Sequence, residues 1–316
     1  MHVAVLAGPA VEWLNVRGDG TYVDCTVGAA GHAERIAEQL AGFSSSQGRL
    51  IALDRDPAAV AVAEKRLSRF SFATVQQANY GELDTVLARL GIARVDGVLI
   101  DAGISSMQLD EDARGFSFQR DGPLDMRMDT TQTTTASTLL ASVDERELVR
   151  VLKEYGDVRP ARRIAKAILE RLARGALATT GDLAEAVREA LPFVHGVPSE
   201  TRSVFQAIRI AVNEELRWLE RGLKSAVELL APMARLVIIS FHSGEDRIVK
   251  NVLRRASRKQ TEFHLDGRTR RIWPPRLRLL TPKPILPDAE EVRQNPRAHS
   301  AKLRAAERLA DDGGQA

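Results

Sequence analysis

Val95-Asp96-Gly97-Val98-Leu99-Ile100-Asp101-Ala102-Gly103-Ile104-Ser105-Ser106-Met107-Gln108 is an apolar run that stops on a carboxylate and passes into small, hydroxyl-bearing residues. This is the pattern of a parallel strand buried on both faces. In open α/β sheets ligands sit beyond the carboxyl ends of the strands, so Asp101 is a candidate site residue on position alone. Its plainer reading is a cap for the helix that follows.

The residues upstream repeat the theme. Thr21 to Thr26 reads as a first strand, and Gly31 to Leu40 as a helix with Ala33, Ile36, Ala37 and Leu40 on one face. Arg49 to Asp54 reads as a second strand, and Pro57 to Leu67 as a helix opened by a proline, which the first turn tolerates. Phe72 to Gln76, Glu82 to Leu90 and Val95 to Asp101 add strand, helix and strand, and the alternation predicts a doubly wound parallel sheet. The next strand, Arg235 to Phe241, begins 134 positions after Asp101. A parallel crossover needs about a dozen residues, so roughly a hundred are inserted. Helical periodicity over 144–155, 160–174 and 180–191 predicts a helical, substrate-binding subdomain at 113–204. It interrupts a discontinuous domain of 1–112 and 205–310, and 311–316 is expected to be a disordered tail. A helix from about Asp246 to Ala256, a basic loop and two strand-like stretches, Arg278 to Leu286 and Ser300 to Arg308, complete the reading.

At 316 residues and 44% hydrophobic content the chain has ample material for more than one core. Its single cysteine, Cys25, excludes an intramolecular disulfide and a multi-cysteine zinc site, and reads as a small buried hydrophobe on a strand. No run approaches the length of a membrane span, and Met1-His2-Val3-Ala4-Val5 lacks the basic start of a secretory signal, so a cytoplasmic protein is expected. Net charge is only +3, yet between Arg247 and Arg278 eleven Lys or Arg stand against Glu262 and Asp266, which leaves the rest of the chain acidic. A cationic segment on an acidic protein suggests a polyanionic partner, nucleic acid being the commonest, and Trp273 and Phe263 could stack on bases. A solvated basic loop is the alternative. The same pair of readings applies to Arg162, Arg163, Lys166, Arg171 and Arg174 in the insertion.

The turn after the first strand is Thr26-Val27-Gly28-Ala29-Ala30-Gly31-His32. A dinucleotide fold wants G-x-G-x-x-G there, so that backbone can close on a pyrophosphate, but Ala29 and Ala30 carry Cβ atoms at the closest approach. A nucleoside ligand without phosphates at this turn is favoured, with S-adenosylmethionine the better fit. Asp54, 26 positions after Gly28, ends the second strand where it can accept hydrogen bonds from ribose hydroxyls. Tyr80 could cover an adenine or be an ordinary core aromatic. Gln108 follows Asp101. His242 sits where the fifth strand ends, beside a Ser243 and Asp246 pair with helix-capping spacing. The dense segment from Arg114 to Asp129 reads as a functional loop, in which Asp121, Asp125 and Asp129 either attract Mg²⁺ or pair with the local arginines.

At these residues the chain resembles, over nearly its whole length, the RsmH (MraW) methyltransferases. The resemblance is carried by Tyr22-Val23-Asp24 to Gly31-His32, Leu53-Asp54-Arg55-Asp56-Pro57, Ser105 to Asp110, Arg114 to Asp129 and Tyr155-Gly156 with Ala161-Arg162-Arg163-Ile164-Ala165. It continues through Phe205-Gln206-Ala207-Ile208-Arg209-Ile210, Ser240 to Lys250 and Asn295-Pro296-Arg297 with Ser300-Ala301-Lys302-Leu303-Arg304. Departures from the family pattern are Ala4, Ala29, Ala30, Ala102, Met107, Gly244 and one extra residue in Thr201 to Phe205.

The resemblance implies a class I (Rossmann-like) S-adenosylmethionine-dependent methyltransferase sheet with an inserted helical subdomain. It implies methyl transfer from S-adenosyl-L-methionine to N4 of a decoding-centre (P-site) cytosine of 16S rRNA within the small (30S) ribosomal subunit, and is compatible with a homodimer. Carried over by motif, the cofactor contacts are Ala30, Gly31, His32, Asp54, Tyr80, Asp101 and Gln108, with no metal. Asp101, helped by Ser105, is expected to accept hydrogen bonds from the cytosine amino group, and His242 to touch substrate. The competing classes are a nicotinamide oxidoreductase on a similar sheet and a ribosome-assembly RNA-binding protein with a decayed site.

Overall fold

The computed structural model describes residues 4–44, 47–263 and 268–310. The expected tail at 311–316 lies outside the described residues, as do the side chains of Phe263 and Arg271. The chain divides into two units, Met1–Gly103 with Leu216–Ala316, and Ile104–Glu215.

The first unit begins α1 (Ala7–Leu14), β1 (Thr21–Asp24), α2 (Gly31–Ala41), β2 (Arg49–Asp54), α3 (Pro57–Leu67), β3 (Ala73–Gln77), α4 (Leu83–Arg89) and β4 (Val95–Asp101). The second unit holds α5 (Ser106–Asp110), α6 (Ala136–Ser142), α7 (Glu145–Gly156), α8 (Ala161–Ala173), α9 (Thr180–Ala190) and α10 (Glu200–Asn213). The chain then returns through α11 (Glu215–Leu229), β5 (Leu230–Ser240), α12 (Ser243–Ala256), β6 (Gln260–Phe263), β7 (Thr269–Trp273), β8 (Leu277–Leu279), α13 (Ala289–Gln294) and β9 (Lys302–Arg308).

The first unit's sheet has the order β3-β2-β1-β4-β5-β9-β8. β3 through β5 run parallel, and β9 pairs antiparallel with both β5 and β8. Successive strand residues point to opposite faces, and both faces are covered, which explains the unbroken apolar runs. Val23, Ile51, Leu53, Val98, Ile100 and Ile238 pack with Leu87 of α4, Leu219 and Leu223 of α11 and Val249 and Leu253 of α12. Tyr22, Leu50, Ala52, Leu99, Val237 and Ile239 pack on the other face with Val11 and Leu14 of α1 and Ile36 and Leu40 of α2. This is the expected class I (Rossmann-like) sheet: β1 to β5 and β8 run in one direction, and β9, between β5 and β8, runs in the other. The parallel sheet expected from the strand and helix alternation is observed over β1 to β5, and β9 is the strand that runs against it.

Other expectations change in detail. The expected basic loop contains an antiparallel hairpin, β6 with β7. The stretch Arg278 to Leu286 forms only the short β8 and a single bridge from Ile285 to Leu303. The unit boundaries at 103/104 and 215/216 lie outside the expected 113–204, because Ile104 and Leu109 on one side, and Val204, Phe205, Ile208 and Val212 of α10 on the other, join the core of the helical unit.

The segment from Arg114 to Asp129 is built into that core. Buried Arg114 donates to the Arg127 and Met128 carbonyls, Arg127 makes a bidentate pair with Asp125 at 2.7 and 2.8 Å, and Asn213 clamps the Met126 carbonyl and the Met128 amide. The expected arginine pairing is met at Asp125, whereas Asp121 accepts from the Gly181 and Gly122 amides and Asp129 from the Thr131 amide and hydroxyl. On α8, Arg162 pairs with Glu145, Lys166 and Arg174 with Glu170, and Arg171 with Asp182 and Glu189. That pairing fits the solvated-face reading. No helix among the described residues is long and apolar enough to cross a membrane.

Candidate functional site

Residues singled out from the sequence gather at the carboxyl ends of β1, β2 and β4. Past Asp24 the chain turns through Thr26 to Ala30 into α2, and hydrogen bonds tie this turn to the two flanking strands. The Thr26 hydroxyl accepts from the Asp101 amide at 2.7 Å. Asp54 Oδ2 accepts from the Gly28 amide and Oδ1 from the Asp56 amide, both at 2.9 Å. Gly28 takes φ +48°, and Ala30 caps α2 with φ +63°, a left-handed conformation that costs a residue with a Cβ about 1–2 kcal/mol. Ala30→Gly therefore raises stability by about 1 kcal/mol, readable as an increased denaturant midpoint at unchanged m. Gly31 has no such freedom, since a Cβ there would lie 2.8 Å from that of Ala4.

The strand ends are acidic. Asp24 is wholly buried; its Oδ1 accepts from the Thr26 amide at 3.1 Å and its Oδ2 has no hydrogen-bond partner among the described residues. Asp101 keeps 22% of its side-chain surface accessible, and its Oδ1 likewise has none. Neither carboxylate has an Arg or Lys partner among the described residues. Burial, with the nearby Asp54, pushes Asp24 up to about 7, and burial pushes Asp54 to about 6. Asp101 is held well above the usual carboxylate range by desolvation and by the charges of Asp24 and Glu245.

His32 does not balance these acids. Burial lowers it to about 4, so it is neutral, and its Nε2–H donates to the Val5 carbonyl at 2.9 Å. Its Nδ1 lies 3.8 Å from Asp101 Oδ2 without an ion pair forming. The site suits a ligand that brings positive charge to Asp24 and Asp101 and hydroxyls to Asp54, which keeps lone pairs free beyond its two backbone bonds.

The remaining candidates are placed differently. Tyr80 follows β3 in a single 3₁₀ turn and is buried in the core, where a Cβ on Gly222 of α11 would come within 2.8 Å of its ring. Ser105 and Gln108 belong to the helical unit, where they form the capping box of α5. Ser105 Oγ accepts from the Gln108 amide and Gln108 Oε1 from the Ser105 amide. The cap of α5 is thus Ser105, and Asp101 does not fill that role.

His242 is itself the N-cap of α12, with its Nδ1 accepting from the Glu245 amide, while Glu245 Oε2 accepts from the Phe241 and His242 amides. The capping pair is therefore His242 and Glu245, one residue earlier than the expected Ser243 and Asp246; Asp246 instead holds Arg304 at 2.7 Å. Sequence reasoning missed Asp24, Thr26 and Glu245 as parts of the strand-end cluster. An acid between Val23 and Cys25, inside a strand with no face to solvent, was the available signal for Asp24.

Comparison with known proteins agrees with this architecture along the whole chain. The profile of the MraW methylase family matches residues 1–309. A protein of Geobacter sulfurreducens named ribosomal RNA small subunit methyltransferase H is 48% identical over 313 residues, covering 98% of this chain and 99% of its own. Proteins of the same name from Carboxydothermus hydrogenoformans and Methylococcus capsulatus are 44% and 48% identical, with 98% of each relative covered. With both the profile and the relatives spanning nearly every residue, the chain belongs to the MraW methylase family.

Proposed function

We propose that this protein methylates small-subunit ribosomal RNA with S-adenosylmethionine, and that the acceptor is the exocyclic N4 of a decoding-centre cytosine of 16S rRNA presented in the 30S subunit. The observation that supports the cofactor best is the pair of strand-end carboxylates, Asp24 and Asp101, each with an oxygen that lacks a partner. A cationic sulfonium and ammonium answer that charge, and ribose hydroxyls answer Asp54. Bound there, the cofactor supplies a methyl group on positively charged sulfur.

The chain's own groups then have separable tasks. The Gly28 to His32 turn and Asp54 hold the nucleoside. Asp101 accepts hydrogen bonds from the cytosine amino group, drawing its lone pair out of conjugation with the ring and toward the methyl. Alignment of this kind is worth about 7–11 kcal/mol in favourable cases, so no strong base is required. Ser105 and His242 have acceptor atoms engaged in helix caps and act by holding backbone, Ser105 with Gln108 and His242 with Glu245. Methylation at ring carbon 5 would need a thiolate nucleophile, and Cys25, the chain's single cysteine, is buried with its thiol pushed up by desolvation.

For the RNA, α12 and the hairpin that follows offer exposed cations, among them Arg247, Arg254, Arg255, Arg258, Lys259 and Arg270. Arg254→Glu with Arg255→Glu is expected to weaken RNA binding and to reduce the slope of log K against log salt by about 1–2, in line with one or two lost phosphate contacts. An unchanged slope would place this face away from the RNA. The reading as a whole is tested by offering radiolabelled S-adenosylmethionine with unmethylated small or large ribosomal subunits. Label should enter small-subunit RNA alone; label in large-subunit RNA, or none in either, would overturn it.

A further inference from the structure

We infer that Asp24 and Asp101 act together as a charge reader: they share a retained proton in the ligand-free site and release it when the cationic cofactor docks, so that Asp24 sets a preference for S-adenosylmethionine over the demethylated product. The inference rests on the cofactor assignment above and adds a role for a residue to which that assignment gives none.

The geometry is a cluster of acids on adjacent elements. Asp24 ends β1, Asp54 ends β2 and Asp101 ends β4, with Glu245 reaching in from the first turn of α12. Asp24 has no accessible surface, and among the described residues its Oδ2 has no hydrogen-bond partner; the backbone amides of Thr26 and Ala33 offset its burial only in part, and no side-chain cation answers its charge. The other titratable neighbours do not supply the missing charge. His32, from α2, is neutral, and Arg35 of the same helix lowers it further. His242 is occupied with the α12 cap and sits against Glu245, with Nε2 3.2 Å from Oε1. Arg55 acts on Asp54. Two carboxyls in such surroundings do not both ionise, and their titration belongs to the pair.

S-adenosylmethionine carries an ammonium, a carboxylate and a sulfonium, a net charge of plus one. Loss of the methyl leaves a neutral thioether and a net charge of zero. The substrate cofactor therefore makes the second ionisation of the pair favourable and the product does not. The proton leaves to solvent on cofactor binding, and after methyl transfer the two unbalanced carboxylates favour reprotonation and product release.

The test is calorimetric titration of the whole protein with S-adenosylmethionine, with its amine-bearing analogue sinefungin and with S-adenosylhomocysteine. Each is run in phosphate and in Tris, whose different ionisation heats report protons released. The expected result at pH 7 is about one proton released per cationic ligand and less than half as many for S-adenosylhomocysteine. The affinity for S-adenosylmethionine should rise by up to about tenfold per pH unit between pH 6 and 8, as linkage to one proton requires. Asp24→Asn, which keeps an oxygen for the Thr26 amide, should at least halve the proton count. It should also cut the preference for S-adenosylmethionine over S-adenosylhomocysteine by about tenfold, the worth of one pKa unit. Binding of S-adenosylmethionine without proton release, equal release with the product, or an unaltered preference in Asp24→Asn would overturn the inference while leaving the cofactor assignment standing. Failure of S-adenosylmethionine to bind at all would overturn both.

Discussion

Asp101→Asn is expected to lower kcat for methylation of small subunits by about 100- to 1000-fold, the range seen when a positioned proton acceptor is removed, while cofactor Kd changes less than tenfold. The substitution preserves shape and leaves the Asp101 amide on the Thr26 hydroxyl, so the strand end stays in place. What is lost is the negative charge that the proposed mechanism sets against the amino group. Asp101 keeps 22% of its side-chain surface accessible while Oδ1 is buried without a partner, so the accessible part of the carboxylate is the acceptor proposed for that hydrogen bond, and an amide there presents either a weaker acceptor or a donor that opposes the incoming N–H. Because the bond matters most as the amino group becomes cationic, the loss falls on kcat and not on ground-state binding. Steady-state kinetics with separate titration of the cofactor decide the matter, and near-normal turnover with unchanged affinity would remove Asp101 from the mechanism.

Asp24→Asn should stabilise the ligand-free protein by about 2–4 kcal/mol at pH 8 and hardly at all at pH 4, from a shift of about three pKa units at 1.36 kcal/mol each taken as an upper bound. Asp24 is raised in the folded chain from 3.8 to about 7. Its contribution is therefore fully present below pH 3.8 and is lost as pH climbs to 7, where the folded protein must give up a proton that the unfolded chain has already lost. His32 works in the opposite direction: lowered from 6.5 to about 4, it costs stability as pH falls through that interval. The two windows overlap between pH 4 and 6.5, so the comparison at pH 8, where His32 is neutral in both states, isolates the acid. Urea denaturation of the parent and variant at both pH values gives the difference directly. A variant no more stable than the parent at pH 8 would mean that Asp24 is balanced by a charge the site does not show. The strain is of the kind a binding site holds at the expense of stability.

Much of this architecture was legible because it rests on local patterns. The strands β2 and β4 and the helix α3 begin and end at the residues that the alternation of apolar runs and the proline at 57 indicate. Asp54 and Asp101 stood out for the same reason, since a carboxylate that ends a buried apolar run needs an explanation. What stayed hidden depends on partners distant in sequence. The antiparallel placement of β9 comes from pairing across β5 and β8, and its apolar run reads the same in either direction. The helix α11 and the hairpin of β6 and β7 carry dense charge that masked their periodicity. Ser105 and His242 were drawn toward chemistry by their position after strands, while their acceptor atoms are taken up locally by backbone amides at helix starts. Asp24 carried a sequence signal, an acid between Val23 and Cys25, but its unpartnered oxygen is visible only in the folded chain.

Whether the strand-end site methylates one cytosine amino group is decided by the identity of the product. Small ribosomal subunits lacking the modification are incubated with the protein and S-adenosylmethionine, the RNA is digested, and the methylated nucleoside and its position are read by mass spectrometry. N4-methylcytidine at a single decoding-centre position is the expected product. Methylation at carbon 5, at a ribose oxygen or on another base would contradict that expectation.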